Sequence, residues 1–349
     1  MTRRLIASFC AAAILAALMQ PVWAQPQPFV RGIYNWIFTT GNAERAFPFY
    51  RDVFGISLVA SPFYGQPSDP PKAIRPVAEA GADELVWNLT NTHGSSYRSA
   101  FLGAANTPFG LELVEFFDIP RNERPPNPWD PGASMLIFRV RALDEILARL
   151  TARGSPIVSR GARVLETSAG RAILVRDPDG YLVQVIQASP REIANAADGE
   201  VIRTSIGITV ASTGAAREFY EDLLGFDFGE PRRAADSDLQ LYGLAGGTLS
   251  QTTTSIPGTD VDVVLLEFSA VNPAAQPPRA FRWRIQDVGA PQFQLEVTAL
   301  DTLIERTREA GYRFLSVDAQ PIQRPFGRFV FAIDPDGILV EFVEPSTPK

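Results

Sequence analysis

The feature that most constrains this chain is an internal repeat. "GASMLIFRVRALDEILARL" from Gly132 matches "GAPQFQLEVTALDTLIERT" from Gly289 without a gap, and DPDG recurs at the same offset, at 177–180 and 334–337. Upstream, "FYRDVFG" at 49–55 pairs with "FYEDLLG" at 219–225, and "LVEF" at 113–116 with "LLEF" at 265–268, at slightly different offsets. Loop lengths have therefore drifted while the elements stayed. Self-similarity on this scale means that one supersecondary unit is built again. Residues 30–190 and 200–346 read as two copies of one domain, joined by a polar linker at 191–199.

Each copy divides once more, because a strand, an amphipathic helix ending at glycine, and further strands occur twice within it. "STGAAREFYEDLLG" has a cap at Ser212 or Thr213, an apolar face from Ala216 to Leu224, and Gly225 as its stop. "LDEILARLTARG" repeats the pattern up to Gly154. The corresponding first helix, "NAERAFPFYRDVFG", contains Pro48, which should kink it or delay its start. DPDG has the residues of a type I turn and joins "RAILVR" to "YLVQVIQ" and "RFVFAI" to "ILVEFVE". Each quarter of the chain thus reads as a βαβββ unit, an α+β arrangement.

Composition limits the function classes. In "MTRRLIASFCAAAILAALMQPVWAQPQ", Arg3 and Arg4 precede a short apolar stretch that ends at Pro21 and a small-residue site before Gln25. That is the pattern of a signal peptide over 1–24, too short for a spanning helix, and it implies a periplasmic or secreted protein. Cys10 is the only cysteine and would leave with it, so neither disulfide nor thiol chemistry is available. Taking Arg3 and Arg4 from the 32 basic residues leaves 30 against 39 acidic ones, with no basic run. Nucleic acid and, after cleavage, a membrane surface are poor partners for such a chain; a small molecule is the natural one.

An opening strand into "A..FY.D.LG", a mid-domain "LEL" strand, a second strand and helix around "F.V..LD", and a closing "DPDG..VE" strand together resemble the vicinal oxygen chelate superfamily, which includes glyoxalase I, bleomycin-resistance proteins and extradiol dioxygenases. The resemblance spans nearly all of the chain beyond the leader. It implies tandem glyoxalase-like domains, each copy pairing its two units into one half-barrel cleft. It also implies a divalent metal held by one His, Glu or Gln from the first and last strand of each unit. Carried over, those positions are Asn35, Glu112 or Glu115, Met135 and Gln184 in the first copy, and Ser205, Glu267, Gln292 and Glu341 in the second.

No histidine stands at any of them. His93, the only one, lies in the loop "NTHGSSYRS", so a two-His-one-carboxylate iron site cannot be built within one chain. The reading that follows is no bound cofactor, or at most a hard cation on Glu267, Gln292 and Glu341. Gln292 and Glu341 are the candidate catalytic pair, which places the site in the second copy, because Met135 and Gln184 replace them in the first. Tyr34, Trp36, Trp87, Tyr97 and Phe101 are candidate aromatic lining, and His93 and Arg98 a candidate acid, base or anion clamp. Arg282, Trp283 and Arg284, in a proline-rich strap between units, are a candidate lid. The functional expectation is an exported small-molecule-binding protein, with metal-independent lyase or isomerase chemistry if it is an enzyme. Two alternatives stand beside it: a sequestering module without catalysis, and a scaffold that has lost its site and serves protein interaction.

Overall fold

The computed structural model describes residues 28–59, 83–271 and 279–346. The leader with Cys10 lies outside them, as does the start of the second strap. The four units are seen in order. The first comprises β1 (Val30–Thr39), α1 (Ala43–Phe54), β2 (Ser57–Leu58), α2 (Asp83–Thr90), β3 (Ser96–Gly103) and β4 (Gly110–Phe117). The second comprises β5 (Ser134–Val140), α3 (Leu143–Ala152), β6 (Leu165–Thr167), β7 (Gly170–Arg176) and β8 (Leu182–Gln187). A short helix α4 (Pro190–Asn195), with a capping box at Ser189, leads into the third. That unit has β9 (Val201–Val210), α5 (Thr213–Arg217) running into a π-turn at Glu218–Leu223, β10 (Arg232–Arg233), α6 (Asp236–Leu241), β11 (Thr248–Ser255) and β12 (Asp262–Ser269). The fourth has β13 (Pro291–Val297), α7 (Leu300–Glu309), β14 (Arg313–Phe314), β15 (Ile322–Arg324), β16 (Gly327–Ile333) and β17 (Leu339–Pro345).

Strand pairing corrects the expectation that each copy closes its own cleft. β1 of the first unit lies antiparallel to β13 of the fourth, with Trp36 opposite Phe293, and β5 of the second lies antiparallel to β9 of the third. One curled sheet therefore joins the outer two units in the order β14-β16-β17-β13-β1-β4-β3-β2, and the other joins the inner two. The helices and the convex faces of both sheets share one large core that includes Trp36, Phe38, Phe138, Phe219 and Phe342. Each concave face carries a smaller apolar cluster of its own.

Repeated polar contacts explain several of the repeated residues. Tyr50 of α1 donates to Asp177 of the first DPDG at 2.9 Å, and Tyr220 donates to Asp334 of the second, also at 2.9 Å. In each of the four units the N-terminus of the helix after the opening strand is met by a side chain from a neighbouring strand. Ala43 N donates to Glu115, Thr213 N to Glu267, Leu143 N to Gln187 and Leu300 N to Glu344. Such acceptors satisfy amides that the helix itself cannot pair. Ser212, rather than Thr213, is the side-chain cap of α5. α1 runs unbroken through Pro48: it starts at Ala43, capped by Asn42, so the proline neither delays nor splits it.

Candidate functional site

Side chains alternate along a strand, so the convex-face positions Trp36, Leu113 and Phe342 dictate what the concave face receives. In the sheet of the outer units that face receives Asn35 and Ile37 from β1, Glu112 from β4, Gln292 and Gln294 from β13, and Glu341 from β17. The register sets Ile37 beside both Glu112 and Gln292, and Gln294 beside both Asn35 and Glu341. All of these but Asn35 form the floor of an open cleft of about 660 Å³, part of it solvent. Its walls are Val86, Leu89 and Thr90 of α2, Tyr97 and Ser99 of β3, Val114 and Phe116 of β4, Ile285 of the strap, and Ile322, Arg324, Phe326, Phe329 and Phe331 around the β15–β16 hairpin.

The floor is wired in one direction. Asn35 Nδ2 donates to Gln294 Oε1 at 2.7 Å, and Gln294 Nε2 donates to Glu341 Oε2 at 2.6 Å. Gly110 makes this possible, since a Cβ there would overlap the Asn35 amide. Gln292 Nε2 donates to Thr39 Oγ1 at 3.3 Å. Both carboxyls are buried, with Glu112 7% and Glu341 4% exposed. Burial pushes Glu112 up to about 7, with the Ser99 hydroxyl pulling the other way. Burial pushes Glu341 higher, to about 8; the Gln294 amide lowers it and the nearby Glu112 raises it further.

The inner cleft has lost this chemistry. The positions equivalent to Ile37, Glu112, Gln294 and Glu341 are Gly207, Val264, Ile137 and Gln184. Its space is filled by Leu239, Leu241, Tyr242 and Leu244, from and just beyond α6, which pack against Met135, Ile137 and Leu266. Tyr242 Oη donates to Gln184 Oε1 at 3.3 Å.

The structure brings Gln292 and Glu341 together but adds Glu112 of the first copy, so the site is shared between copies and does not belong to the second alone. It also decides between Glu112 and Glu115: Glu112 faces the cleft, and Glu115 faces the helices. Glu267 lies in the other sheet, on a helix N-terminus, so it cannot join Gln292 and Glu341 around one ion. Of the aromatic candidates, Tyr97 lines the cleft, and Phe101 is buried on β3 opposite Glu112. Trp36 is fully buried on the convex face, its Nε1 donating to Tyr181 Oη at 2.9 Å. Burial, with the neighbouring Glu296, pushes the Tyr34 hydroxyl up to about 12. Trp87 Nε1 donates to Ser95 O, and His93 is exposed with its ring 6.3 Å from Trp87. Arg98 is held by Glu115 and Glu44 and so is no anion clamp. Trp283 is buried and anchors the strap through Gly132 O, Arg284 pairs with Asp287, and Arg282 faces a separate surface hollow. The strap residue that reaches the cleft is Ile285. Sequence reasoning passed over it, along with Gln294, Ser99, Arg324 and the phenylalanines of β16.

Residues 33–185 and 203–342 each match the Glyoxalase/Bleomycin resistance protein/Dioxygenase superfamily, and the chain belongs to that family. Glyoxalase I from Zea mays has the same fold, with a TM-score of 0.56 at 17% identity over 89% of this chain and 92% of that one. A putative dioxygenase from Bacillus subtilis aligns with a TM-score of 0.55 at 11% identity, over 92% of this chain and 87% of that one. No curated protein matches.

The divalent metal that this family implies does not fit the residues present. One of the six concave-face positions is Ile37, set in register with both Glu112 and Gln292, a hydrocarbon. At another, Gln294 spends its carbonyl on Asn35 and turns its N–H toward Glu341, where a metal ligand would need a free lone pair. Two carboxyls remain. Among the described residues no group of three His, Cys, Asp or Glu side chains converges.

Proposed function

We propose that this chain is an exported protein that binds a small organic molecule in the cleft between its first and last units and moves a proton on it without a metal, as an isomerase or lyase. The observation that carries the reading is the pair of buried carboxyls on one cleft floor, Glu112 pushed up to about 7 and Glu341 to about 8. Two buried carboxyls poised around neutrality on one floor can act as a base and an acid. The Glu112 carboxylate takes a proton from a carbon beside a carbonyl, and the Glu341 carboxyl donates its proton to the carbonyl oxygen, giving a neutral enol. With an α-hydroxy carbonyl, Glu112 returns its proton to the former carbonyl carbon while the Glu341 carboxylate takes the α-hydroxyl proton, which completes an isomerisation. With a β-substituted carbonyl, Glu341 takes back the enol proton as the β-substituent leaves with its bonding pair and the Glu112 proton, which completes an elimination. Gln294 donates to Glu341 Oε2, which orients the carboxyl in the cleft floor.

The test is solvent exchange. The mature protein is incubated in D2O with a panel of small carbonyl compounds, and the C–H signals are followed by NMR. Exchange with at least one compound, lost in Glu112→Gln, supports the reading. Compounds that raise the melting temperature yet never exchange would instead make the chain a binding or sequestering module.

A further inference from the structure

The β15–β16 hairpin carries a feature that the proton-transfer chemistry does not use. Arg324 lines the cleft at its outer end, paired in register with Gly327, beside Phe326, which is 36% exposed. Neighbouring arginines are pinned: Arg98 to Glu115, Arg284 to Asp287, and Arg328 to Asp301 and Glu344. Arg324 has no ion pair among the described residues. Between it and the floor lie Phe329 and Phe331, successive concave-face residues of β16, with Phe331 in register with Glu341. Four residues of strand separate the levels of Glu341 and Arg324, roughly 13 Å of rise, and an arginine side chain folded inward shortens that span by about half.

We infer that the ligand of this cleft is a small aromatic anion, its carboxylate held by Arg324, its ring against Phe329 and Phe331, and its reacting carbonyl at Glu112 and Glu341. The inference rests on the proposed function for the chemistry at the floor, but not for the binding of the anion. A planar guanidinium matches a carboxylate in a bidentate fork and is the group best suited to select it. An anion could not sit at the floor, where it would meet two glutamates. At the mouth it meets Arg324, the one cation of the lining among the described residues, and the apolar walls between require a flat, non-polar body about one ring long.

The probe is 4-acetylbenzoate, which carries a carboxylate, a ring and an exchangeable acetyl methyl in that order; 4-acetylbenzamide is its uncharged counterpart. Calorimetry on the mature protein should find the benzoate bound at least about tenfold more tightly than the amide, the size expected of one charge-assisted pair. Arg324→Gln should erase that preference, with the amide's affinity and the ligand-free melting temperature unchanged. Equal affinity for the two probes, a preference that survives Arg324→Gln, or no binding of either would overturn the inference. The chemistry is read separately, from methyl exchange in D2O. Carboxylate preference without exchange would leave the ligand class standing and sink the proton-transfer reading, whereas exchange without preference would do the reverse.

Discussion

Replacing Glu341 by glutamine should make the protein more stable at alkaline pH. The carboxyl ordinarily titrates near 4.5 and is pushed to about 8 in the fold. Between those values the folded state holds a proton that the unfolded chain has released, so stability falls as pH rises, by about 1.36 kcal/mol per pH unit, and levels off above 8. The full loss is about 5 kcal/mol for Glu341, and Glu112, pushed to about 7, adds about 3 kcal/mol by the same reasoning. Glu341→Gln removes the first contribution. At pH 5 the native carboxyl is protonated and nearly isosteric with the amide, so variant and wild type should melt together. At pH 9 the variant should melt higher, on the order of 5 to 10 °C for a chain of this size. Asp177 and Asp334 are also pushed to about 7, but both proteins keep them, so they cancel in the comparison. The assay is thermal unfolding of both proteins from pH 5 to 9. Melting curves that stay parallel across the range would mean that Glu341 is not a buried acid, and the reasoning would fail.

Tyr220→Phe should cost about 1–3 kcal/mol by leaving Asp334 short of a donor, measured as the urea midpoint, with no effect on ligand affinity. Glu267→Ala should cost about 1 kcal/mol by exposing the start of α5, again with affinity for 4-acetylbenzoate intact, whereas a ligand-binding role would lower it. Trp283→Ala should cost about 3–5 kcal/mol, because it empties a buried site and breaks the bond to Gly132. A mild loss there would mean that the strap is not anchored as described. N-terminal sequencing of the exported protein should begin at or near Gln25; Met1 retained in a membrane fraction would contradict export.

Much of the fold could be read from the sequence because each unit carries its own local signals: DPDG makes its hairpins, and the "FY.D.LG" segments make their helices. Which units pair could not be read so. The exposed edges of β1, β5, β9 and β13 are chemically alike, and only the assembled packing decides that β1 meets β13. The two glutamates of "LELVEF" were indistinguishable for a related reason. With Leu111, Leu113, Val114 and Phe116 all buried, the strand has no polar face to reveal its orientation. Glu115 proved to be a helix acceptor, a role that one strand's periodicity cannot signal. The filling of the inner cleft by Tyr242 was hidden because "DSDLQLYGL" reads as an ordinary surface turn of helix. Arg324 and Phe326 lie in "QRPFG", where only the turn itself is legible.

The central claim is that the cleft between the outer units binds the ligand while the inner one is filled. Isoleucine methyls report on both: Ile37, Ile285 and Ile322 line the outer cleft, and Ile137 faces the inner one. In NMR spectra of protein labelled at isoleucine methyls, titration with 4-acetylbenzoate should shift Ile37, Ile285 and Ile322 together and leave Ile137 in place. Shifts centred on Ile137, with the other three unmoved, would contradict the account.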